Sequence, residues 1–114
     1  MEEKIKMSIL CGIYGNLLTD KQYQILDDYY NNDLSLSEIA ENNEITRQAV
    51  NDMINKGKAK LVEYEEKLHF MDKVLNQEKI IDEIIEELEK NKNKELTEAK
   101  ISKISKKLKT LIDD

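Results

Sequence analysis

The chain has 114 residues, of which 37% are charged and 39% are hydrophobic, with no proline and a formal net charge of −6. This length corresponds to about one domain, and many charges together with ample apolar residues and no helix breaker favour helices over disorder. The acidic balance argues against a protein that coats nucleic acid through bulk charge.

The first predicted helix has one apolar stripe, formed by Ile5, Ile9, Leu10, Ile13, Tyr14 and Leu17. Cys11 lies in this segment; because a single cysteine cannot form an internal disulfide, we predict a buried thiol in a reducing compartment. The apolar run at residues 7–18 is broken by Gly12 and Gly15 and lacks a cleavage site, so we expect no signal peptide. No segment has the length of a membrane span, and we predict a cytoplasmic protein.

Two capping boxes, at residues 19–22 and 35–38, open the next two predicted helices. The first of these helices carries Tyr23, Leu26, Tyr29 and Tyr30 on one side and is expected to end at residues 31–33. The three tyrosines could stack on RNA bases, but their spacing beside leucine favours the core. The second helix is short, runs through about Glu41, and is followed by a predicted turn at residues 42–43.

Thr46 then caps a long predicted helix that continues through Leu75. Its apolar positions alternate in steps of four and three, which is a heptad stripe: Val50, Ile54, Gly57, Leu61, Tyr64, Leu68, Met71 and Leu75. Such a stripe lets two helices pack along their length. Gly57 lowers helix propensity but permits the close approach of another backbone.

We therefore predict an all-α fold with two parts: a helical domain at residues 1–75 and a C-terminal helical extension at residues 76–114. The extension has two apolar faces, one before and one after a polar interruption at residues 91–94: Ile80, Ile81, Ile84, Ile85 and Leu88, then Leu96, Ile101, Ile104, Leu108 and Leu111. We expect these faces to pack on the same domain or on a second subunit, and we predict a homodimer.

The most informative segment is a helix-turn-helix at about residues 36–55. Ala40 is the small residue that two crossing helices require, and Ile39, Ile45, Val50 and Met53 can supply the apolar contacts between them. The second helix would expose Arg47, Gln48, Asn51 and Asn55, which are residue types that read base edges through paired hydrogen bonds. The candidate nucleic-acid-binding residues are Thr46, Arg47, Gln48, Asn51, Asn55, Lys56 and Lys58.

Two observations weigh against plain DNA binding, and the first of them leaves a purely structural interpretation open. Helical proteins that never bind nucleic acid contain the same pattern, with solvated polar residues on the outer face. Asp52 would lie near the groove-facing side, where a carboxylate repels phosphates, so any duplex affinity should be weak and salt-dependent.

From Leu18 to Leu61 the chain resembles region 4 of bacterial sigma factors, on the runs Leu18-Thr19, Glu38-Ile39-Ala40 and Ile45-Thr46. Over residues 5–90 it is still more similar to the YlxM family of small bacterial proteins. The runs that carry this resemblance are Arg47-Gln48-Ala49-Val50, followed by Asp52, and Tyr64-Glu65-Glu66-Lys67-Leu68. Asn43 and Glu44 depart from the sigma-like pattern, Glu44 at a turn position that often holds glycine because positive φ is easily adopted there.

The resemblance implies a sigma-region-4-like domain with added C-terminal helices and a regulatory role in the signal recognition particle pathway. The family's genes lie beside those for the particle's GTPase, Ffh, or its receptor, FtsY. Contact with Ffh or with the particle's RNA is therefore implied. The alternatives are a transcriptional regulator whose recognition helix binds duplex DNA, and a purely protein-binding adaptor.

No catalytic, metal or cofactor site is predicted, because the chain has no glycine-rich phosphate loop, no paired cysteines and no nucleophile beside a base. The lone His69 is interpreted as a surface or satisfied histidine. The C-terminal lysines are interpreted as a solvated face, with an RNA contact as the alternative: Lys100, Lys103, Lys106, Lys107 and Lys109.

Overall fold

The computed structural model describes residues 1–112, which form six α-helices and one 3-10 turn and contain no strand. The helices are α1 (Glu3–Tyr14), α2 (Asp20–Tyr30), α3 (Leu36–Asn43), α4 (Arg47–Leu68), α5 (Phe70–Lys90) and α6 (Glu98–Thr110), and the 3-10 turn is Gly15–Leu17. The predicted all-α class is confirmed. No helix in the described part of the chain is long and apolar enough to cross a membrane.

The chain divides into two compact units, residues 1–71 and residues 72–114. The first unit contains α1 to α4 and the first two residues of α5; the second contains the rest of α5 and α6. The predicted packing of the C-terminal extension on the domain or on a second subunit, and with it the homodimer, stays a prediction.

The buried face of α1 differs from the predicted stripe. Met7, Leu10, Cys11 and Tyr14 are buried, whereas Ile5 and Leu17 are 51% and 56% exposed. The buried positions follow the spacing i, i+3, i+4 and i+7, so the face of the helix that enters the core is centred on Leu10 and Cys11. Cys11 is 2% exposed, which confirms the predicted buried cysteine, and this burial raises the pKa of its thiol to about 11.

Helices α2 and α4 pack closely against each other at Gly57. A Cβ atom added there would lie 2.6 Å from Cδ1 of Leu26, a side chain with no solvent exposure. The predicted close approach is therefore made by a side chain and not by a second backbone. It requires glycine because the enclosed leucine has no space into which to move.

The long helix ends at Leu68 and does not continue to Leu75 as predicted. His69 adopts the left-handed conformation with φ of 55°, and α5 begins at the next residue. The heptad stripe is buried from Val50 to Leu61 but reaches solvent at Leu68, which is 46% exposed.

A buried carboxylate supports the break between α4 and α5. The hydroxyl of Tyr14 donates to Oε1 of Glu65 at 2.7 Å, and the Met71 amide donates to the same oxygen at 2.9 Å. The Phe70 amide donates to the Tyr14 hydroxyl at 3.2 Å. The first two backbone amides of α5 thus have hydrogen-bond acceptors on side chains. These acceptors could not be predicted from the spacing of apolar residues.

In the second unit, ion pairs connect α5 and α6: Glu87 with Lys103 at 3.5 Å and Glu83 with Lys107 at 3.7 Å. Thr97 caps α6 by accepting from the Lys100 amide. Several large apolar side chains remain exposed on these helices, among them Ile81, Ile85, Leu88, Ile101 and Leu108. Three lysines of the predicted solvated face, Lys103, Lys106 and Lys109, are exposed.

Gly57→Ala should lower the free energy of unfolding by about 1–2 kcal/mol, because overpacking against Leu26 outweighs the gain in helix propensity. The matched control is Gly12→Ala in α1, where a Cβ atom would meet nothing within 4 Å. This second change should raise the free energy of unfolding by about 0.5–1 kcal/mol. Urea denaturation of both variants measures the difference, and equal effects would contradict the close packing.

Candidate nucleic-acid interface

Local backbone chemistry defines α3 and its turn. The Ser35 hydroxyl accepts from the Glu38 amide at 3.1 Å, and the Glu38 carboxylate accepts from the Ser35 amide at 3.2 Å. This capping box confirms the predicted start of the helix. Ile39 and Ala40 are buried, as expected of the residues at which two helices cross.

The turn between α3 and α4 depends on Glu44. Its φ of 55° is left-handed, and its amide, together with that of Ile45, closes the helix by donating to carbonyls of residues 40 and 41. Asn43, which was expected in the turn, is the last residue of α3. Its side-chain amide donates to the Ile39 carbonyl at 2.7 Å and accepts from the Lys21 ammonium at 2.8 Å.

The N-terminus of α4 exposes much of the predicted site. The Thr46 hydroxyl caps the helix by accepting from the Ala49 amide at 3.0 Å, which leaves its proton and one lone pair for other partners. Arg47, Gln48, Asn55 and Lys56 are exposed, and Asn51 and Lys58 are partly buried. The Gln48 amide donates to Oδ1 of Asp52 at 3.1 Å, so this glutamine is already engaged by a carboxylate.

The seven candidate residues do not share one surface. Asn51, Asn55 and Lys58 follow the spacing i, i+4 and i+7 and lie along one side of α4. Because successive residues are about 100° apart around a helix, Lys56 lies on a different side from Lys58. Lys58 is also held by an ion pair with Glu3 of α1, and this contact keeps the pKa of the Glu3 carboxyl below its usual value.

The side of α4 that carries Asn51, Asn55 and Lys58 borders a cavity of about 480 Å³, which we call the α4 cleft. All of its lining residues belong to the first unit: Glu3, Lys4, Tyr29, Tyr30, Asp33, Leu34, Leu36, Asn51, Ile54, Asn55 and Lys58. A second ion pair, between Lys4 and Asp33, lies in its lining. Sequence reasoning missed the cleft, because the partners of each ion pair are far apart in the chain.

The tyrosines of α2 are less buried than predicted. Tyr30 is 7% exposed and belongs to the core, but Tyr23 and Tyr29 are 39% and 36% exposed. The ring of Tyr23 lies against Gly15. The ring of Tyr29 meets that of Tyr30 edge to face, with centroids 5.0 Å apart, and lines the α4 cleft. The prediction of a core position was therefore wrong for these two residues.

Two capped helices that meet at a left-handed residue, the second with its first turns open to solvent, define a helix-turn-helix protein. Residues 1–108 match the family described as "Putative helix-turn-helix protein, YlxM / p13 like", and the chain belongs to this family. This is a helix-turn-helix family and not an enzyme family, and its description favours a regulatory or nucleic-acid-binding role.

Three relatives, each named a UPF0122 protein, illustrate the similarity. The chain is 50% identical to one from Clostridium kluyveri over 99 residues, which are 84% of this chain and 89% of the relative. It is 45% identical to one from Clostridium perfringens over 93 residues, 82% of this chain and 83% of the relative. It is 58% identical to one from Malacoplasma penetrans over 66 residues, 58% of this chain and 62% of the relative.

Glu44→Gly should raise the free energy of unfolding by about 0.5–1 kcal/mol, since glycine adopts a left-handed φ without the steric cost of a Cβ atom. The matched control is Glu44→Ala, which removes the same charge but keeps the Cβ atom and should give no such gain. Urea denaturation measures both, and a gain for alanine equal to that for glycine would contradict a strained turn.

Proposed function

We propose that this protein is a regulatory helix-turn-helix protein of the signal recognition particle pathway. It would contact the particle's RNA, or its GTPase Ffh, through the first turns of α4. The observation that carries the proposal is Arg47, which is exposed in the first turn of α4 and forms no ion pair within residues 1–112. A guanidinium in this position is free to bind a phosphate or a base edge. A cytoplasmic location belongs to the same proposal.

The charges around α4 favour a folded RNA or a protein over long contacts with duplex DNA. Glu3 engages Lys58, and Asp52 engages Gln48, so two of the candidate residues already have acidic partners. Specific duplex binding usually neutralises many phosphates at once. RNA loops are instead read mainly by stacking and by hydrogen bonds to unpaired bases, which need fewer cations.

Duplex DNA is the second candidate, and the geometry of the recognition helix favours it. Asn51 and Asn55 are one turn apart, on the helix that enters the major groove in other helix-turn-helix proteins. In this alternative the protein is a transcriptional regulator. A third outcome, an adaptor that binds only protein, would be indicated by Ffh binding that survives nuclease treatment.

A competition titration tests the proposal. Labelled signal-recognition-particle RNA is bound to the purified protein at near-physiological salt and challenged with excess genomic duplex DNA. We expect the RNA to remain bound, and we expect Arg47→Ala to weaken RNA binding by about tenfold, because one charged contact is lost. Lys67→Ala is the matched control, since it removes one exposed cation from the far end of the same helix.

The outcomes separate the candidates. Displacement of the RNA by the duplex would favour the DNA-binding regulator. If no nucleic acid binds but Ffh co-purifies after nuclease treatment, the adaptor is favoured. If Arg47→Ala binds RNA as tightly as the wild type does, the first turn of α4 does not contact the RNA.

Glu3→Gln should strengthen RNA binding about two- to fivefold, because it releases Lys58 and removes a negative charge from the α4 cleft. The measurement is RNA affinity at several salt concentrations, and the affinity of the variant should fall more steeply with salt than that of the wild type. Glu2→Gln makes the same charge change one residue away and leaves the Lys58 contact intact. An equal gain for Glu2→Gln would show that net charge alone is responsible.

A further inference from the structure

We propose that the α4 cleft binds one unpaired nucleotide of an RNA chain. The inference rests on the proposed nucleic-acid-binding function and names what the cleft beside the recognition helix would recognise. Four features of the cleft support it: its volume, its tyrosine wall, its two asparagine amides and its balanced charges.

The volume of the cleft suits a small ligand. About 480 Å³ lies within the range of small-molecule sites in proteins, roughly 300–1,000 Å³. The cleft is also open to solvent, as the exposure of Tyr29 and Asn55 shows. A nucleotide that remains part of a longer chain requires such an opening, since the chain on both sides of it must stay outside.

The first wall consists of the rings of Tyr29 and Tyr30, which meet edge to face at an interplanar angle of 83°. Burial of Tyr30 anchors this pair in the core, while Tyr29 keeps a third of its surface in solvent. Unpaired bases bind proteins by stacking on aromatic side chains of this kind. A ring that is fixed by its neighbour loses little conformational freedom when a base stacks on it.

The second wall carries the amides of Asn51 and Asn55, which are one helical turn apart. Within residues 1–112 neither side-chain amide forms a hydrogen bond with the protein. This distinguishes them from Gln48, Asn43 and Asn91, whose amides are engaged. Each free amide offers a donor and an acceptor, which is the combination that the polar edge of a base requires.

The charges in the cleft balance, and this selects against a duplex. Lys58 is paired with Glu3, and Lys4 is paired with Asp33, so the lining has no net charge. A single phosphate of the RNA could replace one of these exposed carboxylates as the partner of its lysine. The closely spaced phosphates of a duplex would meet both carboxylates, and its bases are stacked and unavailable.

The test measures the affinity of the full chain for two labelled RNA hairpins that differ only in their loops. One has unpaired loop nucleotides, and the other has its stem closed by a non-nucleotide linker. We expect Tyr29→Ala and Asn55→Ala each to weaken binding of the first hairpin by about tenfold and to leave binding of the second unchanged. Tyr29→Phe keeps the ring and should bind as the wild type does.

The matched control is Tyr23→Ala, which removes a ring of similar exposure from the same helix, outside the cleft. It should leave both affinities unchanged, and equal weakening by Tyr23→Ala and Tyr29→Ala would overturn the proposal. Thermal unfolding of every variant separates loss of binding from loss of fold. A competition arm with adenosine and uridine monophosphate distinguishes the source, since binding as tight as that of the RNA would assign the cleft to free nucleotides.

Failure of this inference is distinguishable from failure of the proposed function. If Arg47→Ala weakens binding but the cleft variants bind like wild type, the function stands and the cleft has no role in it. If the wild type binds neither hairpin, the inference about the cleft is overturned, and of the proposed function only the contact with Ffh is left to test.

Discussion

The buried carboxylate of Glu65 is the interaction on which the first unit depends most. A buried carboxylate is unfavourable unless hydrogen bonds replace its water, and Tyr14 and the Met71 amide both donate to it. The Tyr14 ring also contacts the rings of Tyr64 and Phe70, with centroids 5.8 and 6.4 Å away. A single polar group thus connects α1 and α4 to the first residues of α5, and it fixes where α4 ends.

The position of the recognition helix follows from this core more than from the turn before it. Val50, Ile54 and Leu61 bury one edge of α4, and Gly57 on the same edge allows Leu26 of α2 to fit against the helix. The turn at Glu44 is strained, and its hydrogen bonds are made only to the end of α3. The turn therefore sets the direction of the chain but does not hold α3 and α4 together. Because the core fixes one edge, the first turns of α4 are free to face solvent.

The features that could be predicted from the sequence are those that depend on residues close together in the chain. The caps at Thr19, Ser35 and Thr46 are each a short-range hydrogen-bonding pattern, and all three open helices in the structure. Sequence reasoning failed where distant residues decide the outcome. The heptad spacing extends past Leu68, but α4 ends there. The first amide of α5, that of Phe70, donates to the hydroxyl of Tyr14, which is more than fifty residues away in the chain. The α4 cleft was invisible for the same reason, since Glu3 and Lys58 meet only in the folded chain.

The division of α4 into two polar sides bears on how such an acidic protein could select a nucleic acid. Its outward side carries Gln48 and Asp52, which share one hydrogen bond. The side facing the cleft carries Asn51 and Asn55, whose side-chain amides form no hydrogen bond within the described chain. With a net charge of −6, nonspecific attraction to phosphates is weak. If the protein binds RNA as proposed, its affinity would come from short-range contacts, which fall off within a few ångströms and depend on the shape of the ligand. The acidic charge of such a protein would cost it little affinity for an unpaired RNA nucleotide that fits the cleft. The same charge would suppress its binding to duplex nucleic acid, which improves specificity.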